Sequence, residues 1–140
     1  MKKKRCYILI NGEDGKKEVI KVAGYMFQKN GHWFTVRKND QAITKASTSY
    51  KGKWIISDFV TGIIMTDTDN KLDDVPNALP ESMIDTLIMF YKDNSTSMYR
   101  RESTREEFQR YAQLVNEAMF RDSQDKLIDL LQDSAHELFD

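Results

Sequence analysis

Two groups of side chains in this 140-residue sequence have the types and spacing to hold a ligand. Arg100 and Arg101 are followed by Arg105, with Arg101 and Arg105 four residues apart across the start of a predicted helix. Guanidinium groups form forked hydrogen bonds with phosphate oxygens, and the free N–H groups of a first helical turn add to the attraction. The cluster therefore reads as a phosphate site. Its alternative is pairing with Glu102, Glu106 and Glu107 along the helix. The second group is Trp33, Arg37, Lys38, Lys51, Lys53 and Trp54. Aromatic rings set among positive charges stack single-stranded bases, so these residues form a candidate nucleic-acid or partner surface. The competing reading is a hairpin whose aromatics pack under a helix among solvated lysines. Arginine concentrates in the first group and lysine in the second, which favours the first as the site.

Catalysis has no such support. His32, beside a hairpin tip, and His136, in the last helix, read as surface residues with no serine or cysteine context for a triad. Cys6 reads as a small core residue. One Cys and two His exclude the structural zinc patterns. The run Asp67 to Asp74 suggests a calcium loop, but the pattern fails at Lys71, Leu72 and Ala78. Gly12 and Gly15 lack the spacing and the following helix of a phosphate loop. No catalytic residue, metal or cofactor is assigned, and the chain is read as a binding protein rather than an enzyme. No run approaches the roughly 18 apolar residues of a membrane span, and the segment after Arg5 is too short for a signal peptide. A cytoplasmic protein is expected.

Two halves of different composition must position these groups. Residues 1–62 carry 13 Lys and Arg against 5 Asp and Glu, whereas residues 63–140 carry 8 against 17. Facing halves of one fold would neutralise each other; the alternatives are a basic half that meets nucleic acid or a nucleotide, and self-association. In the first half, Asn30-Gly31 between Tyr25-Met26-Phe27 and Trp33-Phe34-Thr35-Val36 predicts a two-residue hairpin. That register puts Tyr25, Phe27, Phe34 and Val36 on the core face, and Trp33, Met26, Gln28, Thr35 and Arg37 on the other. Tyr7 to Ile10, Val19 to Val22, Trp54 to Ser57 and Ile63 to Met65 read as further strands, with a bulge at Gly24 and an edge strand over Ala42 to Tyr50.

In the second half, Met83, Ile84, Leu87, Ile88, Phe90 and Tyr91 predict a helix from Pro80 to about Asn94. Ser103 with Glu106 and Thr104 with Glu107 offer capping boxes for another, with Phe108, Tyr111, Ala112, Val115, Ala118 and Met119 on one stripe. Leu127, Leu130, Leu131, Ala135 and Leu138 then mark a third helix or a bent continuation. The expected fold is one α+β domain over residues 1–140. An N-terminal curved antiparallel sheet of five to seven strands (1–66) leads through an acidic loop (67–80) to two or three C-terminal helices (81–140). The long stripe from Phe108 to Leu138 exceeds what one modest sheet needs to cover, so a homo-oligomer, a dimer or higher, is expected.

The stretch Phe34-Thr35-Val36-Arg37-Lys38, followed by Trp54-Ile55-Ile56-Ser57-Asp58-Phe59-Val60-Thr61-Gly62-Ile63-Ile64, resembles a pattern in short phage-encoded proteins. The Lys-, Ile- and Asn-rich, proline-poor vocabulary is similar to that of Gram-positive phages and prophages. Size and layout resemble the phage anti-Thoeris sponge family, oligomers that sequester a cyclic ADP-ribose signal without catalysis. The resemblance implies phosphate ligation by Arg101 and Arg105 and base stacking by Phe90 or Tyr99. Small anti-CRISPR proteins are an equally natural comparison by size. The expectation is a phage or mobile-element protein that counteracts a bacterial defence by sequestering a nucleotide signal, with Arg100 also holding phosphate. One alternative is a protein inhibitor of a defence nuclease, in which Asp67, Asp69, Asp73 and Asp74 mimic nucleic-acid phosphates. The other is single-stranded nucleic-acid binding by the basic sheet.

Overall fold

The computed structural model describes residues 1–39, 53–92 and 105–139. Five antiparallel strands, β1 (Lys2–Asn11), β2 (Lys17–Lys29), β3 (His32–Lys38), β4 (Trp54–Asp58) and β5 (Ile64–Thr68), pair in sequence order as a meander. Three helices follow, α1 (Glu81–Lys92), α2 (Arg105–Arg121) and α3 (Asp125–Phe139). The architecture is α+β with the strands first and the helices last, as the periodicity predicts. The expected edge strand over Ala42 to Tyr50 and the capping residues Ser103 and Thr104 lie outside the described residues.

The hairpin forms as its turn chemistry dictates. Asn30 and Gly31 take φ of 52° and 77°, and Phe27 pairs with Phe34 and Gln28 with Trp33. The ladder between β1 and β2 runs through Gly24 without an inserted residue, so the expected bulge is not there. What the glycine supplies is space, since a Cβ would lie 2.3 Å from the Val36 carbonyl oxygen.

Helices cover the face that carries Tyr7, Leu9, Phe27, Phe34, Val36 and Ile56, and these join the helical stripes in one core. The opposite face is not the solvent face its mixed polarity suggests. Met26, Thr35 and Arg37 are buried, as are Cys6, Ile8 and Val22 in a second small cluster.

The helical half adds two features that the apolar spacing leaves open. The acidic segment contains a 3-10 turn, Leu72–Ala78, anchored by fully buried Val75 and Leu79. Lys29 fastens it to the hairpin by donating to the carbonyls of Pro76 and Leu79 at 2.8 and 2.7 Å. Ser123, at φ 58°, ends α2 and makes α3 a separate helix. The stripe from Phe108 to Leu138 is buried within one chain, through Phe108, Val115, Met119, Leu131 and Leu138 among others. It therefore gives no reason of its own for a dimer.

Candidate functional site

Two polar constellations stand out, one sealed and one open. The sealed one is centred on Asp58 at the end of β4. The chain turns there through Phe59 to Gly62, and Gly62 has φ 73° with no room for a side chain, since a Cβ would lie 2.7 Å from Leu9 N. A buried turn must satisfy its own polar groups. Asp58 does so by accepting from Val60 N–H and Thr61 N–H, both at 3.3 Å, and from the Thr61 hydroxyl at 2.7 Å. From β3, His32 Nε2 lies 2.7 Å from Asp58 Oδ1, and from α1 the Tyr91 hydroxyl donates to Oδ2.

Asp58 is fully buried and His32 is 5% exposed. Burial by itself would raise the Asp58 carboxyl. The charge and hydrogen bond of His32, with the hydroxyls of Tyr91 and Thr61, outweigh it and hold the group below the ordinary carboxylate value. Burial, then the Asp58 charge, push the Tyr91 phenol well above its ordinary value. His32 is thus no surface residue. It faces a carboxylate that arrives on β4, where Asp58 pairs with Phe34, two residues further along the strand of His32.

The open constellation is a groove of about 410 Å³ between α2 and α3. Its floor is apolar, formed by Ala112, Leu131, Ala135 and the Phe139 ring, and small residues let the two helices approach there. Its walls carry the carboxamides of Gln109, Gln113 and Asn116 from α2 and Gln132 from α3. Gln132 Nε2 donates to Asn116 Oδ1 at 3.4 Å across the gap. Beside Phe139 stands Arg105, its guanidinium 5.8 Å from the ring centroid. A primary carboxamide offers a donor and an acceptor side by side, which matches the hydrogen-bonding edge of a base.

The sequence-predicted residues are distributed as follows. Arg105 is at the start of α2, but its Nε donates to the Tyr91 carbonyl at 2.6 Å and its Nη2 to that of Phe139. Among the described residues these two bonds, and not the alternative pairing with glutamates, engage its guanidinium. Phe90 is completely buried, edge to face with Phe108 at 4.2 Å, so its ring is covered by protein and offers no face to a base. Tyr99, Arg100 and Arg101 lie outside the described residues, as does Lys51.

On the sheet, Arg37 is 3% exposed, which removes it from any exposed platform. Trp33 and Trp54 are half-buried and packed against the core. Trp54 meets Tyr25 edge to face, and Lys38 Nζ sits 4.9 Å from its ring centroid. Lys53 pairs with Asp67 at 3.3 Å. Asp69, Asp73 and Asp74 are exposed.

Sequence reading missed both constellations. For the groove a signal existed: Arg105, Gln109, Gln113 and Asn116 recur at four, four and three residues, one helical face. Comparisons with protein-family models, with curated proteins and with solved structures return no match for this chain.

Proposed function

We propose that the protein is a non-catalytic binding protein that sequesters a nucleotide signal, in the service of a phage or mobile element acting against a host defence. The observation that carries this reading is the carboxamide-walled groove between α2 and α3. Its volume of about 410 Å³ lies within the range of small-molecule sites. The apolar floor suits the face of a base, the four carboxamides suit its edge, and the Arg105 guanidinium beside Phe139 puts positive charge where a phosphate would extend. The site thus shifts from the arginine cluster alone to the groove that Arg105 adjoins. Basic-sheet binding of single strands loses support, because Arg37 is buried and Lys53 is paired. Native mass spectrometry with ADP-ribose and its cyclic isomers tests the proposal. Retention of one nucleotide per chain, competed by excess free nucleotide, is the expected result. Bare protein at every nucleotide concentration overturns it.

A further inference from the structure

His32 also closes one side of a second cavity, of about 340 Å³, which shares no residue with the groove. It opens between the β2–β3 turn and helices α1 and α3. Ile88 and Lys92 come from α1, and Glu137 and Leu138 from α3. The Asp58 carboxylate takes hydrogen bonds from Val60 N–H, Thr61 N–H and the hydroxyls of Thr61 and Tyr91 besides that of the imidazole. A carboxylate so supplied stays ionised, so His32 Nε2 carries the proton it shares with Asp58, and Nδ1 is the nitrogen left to act on a ligand.

Lys92 and Glu137 are both exposed on the rim, and among the described residues neither belongs to an ion pair. A rim with one unneutralised charge of each sign repels part of any simple anion or cation. A molecule carrying both charges satisfies both.

We propose that this cavity binds a small apolar α-amino acid as its zwitterion, the carboxylate at Lys92, the ammonium between Glu137 and the Nδ1 acceptor of His32, and the side chain between Ile88 and Leu138.

Titration of the full chain with L-leucine, followed through the ring nitrogen resonances of His32, is the test. A saturable shift is expected. 4-Methylpentanoate keeps the side chain and carboxylate but lacks the ammonium, and should bind about tenfold more weakly. Lys92→Met and Glu137→Gln should each weaken leucine by a similar factor of about ten and leave the melting temperature unchanged, since both positions are exposed. Absence of a saturable shift, equal binding of the two compounds, or full affinity in either variant overturns the proposal. Nucleotide retention in the α2–α3 groove is read separately and does not depend on the outcome.

Discussion

The Asp58 cluster and the α2–α3 groove solve opposite problems with similar chemistry. Around Asp58 the groups of His32, Thr61 and Tyr91 are turned onto one carboxylate inside the protein, joining β3, β4 and α1 at one point. Along the groove, carboxamides stand at a helix surface above small and apolar residues, with a single long bond between them. Buried polar groups that lose a partner cannot turn to water, whereas exposed ones can. The first arrangement therefore specifies the fold, and the second leaves hydrogen-bonding capacity for a ligand. Substitutions should separate the two, stability responding in one region and binding in the other.

The largest effect is expected at Asp58. Asp58→Asn places an amide N–H₂ among donors and removes the carboxylate that His32 Nε2 faces. Removing one partner of a buried pair costs about 3–5 kcal/mol, and urea unfolding should show a loss of that size. A near-normal midpoint would erase the distinction between the regions. The same carboxyl sets an acid limit. Its value in the folded state lies below the ordinary 3.8, so the stability it contributes is complete above that value and is lost as pH falls through the folded value. Acid unfolding of the wild type should steepen below about pH 4, and Asp58→Asn should flatten that limb.

Arg105 stands between the two regions and sharpens the boundary. It fastens the last turn of α1 and the end of α3 through the carbonyls of Tyr91 and Phe139. Arg105→Ala should cost about 2 kcal/mol through the loss of charge-assisted bonds, and Arg105→Lys should recover only part, lacking the planar fork. A purely ligand-binding arginine would leave unfolding unchanged. Deeper in the groove the expectation reverses. Gln109→Leu with Gln113→Leu keeps helix propensity, so stability should stay within about 0.5 kcal/mol while ADP-ribose affinity by calorimetry falls about tenfold or more.

Local rules made much of the sheet legible and little of the site. Asn30-Gly31 fixed the hairpin and its register because turn chemistry acts over four residues, and the apolar spacing of Phe108 to Met119 marked α2 because burial imposes a helical period. His32 was misplaced because its partner is 26 residues away, and nothing local to a hairpin tip indicates a carboxylate arriving from β4. Arg37 falls on an exposed face because alternation assumes that one side of a sheet meets water, whereas here Met26, Thr35 and Arg37 on that side are buried as well. Phe90 belongs to a face that a helical wheel already places in the core, beside Leu87 and Tyr91, and its stacking role came from resemblance alone.

The smallest expected effect uses an ion pair nearer the surface. Lys53 and Asp67 lie 3.3 Å apart, with side chains 33% and 26% exposed, against 5% and 0% for His32 and Asp58. Water screens the exposed pair, and Lys53 gives up side-chain entropy to hold its position, so Lys53→Met should lower stability by about 0.5 kcal/mol or less. Added salt should shrink that difference, because exposed pairs are screened within about 10 Å at 0.1 M. The Asp58→Asn penalty should barely respond to salt, since ions do not reach a sealed carboxylate. Urea midpoints of both variants at low and high salt make the check. Equal salt sensitivity would mean that water reaches Asp58, and the division between a sealed cluster and an open groove would fail there.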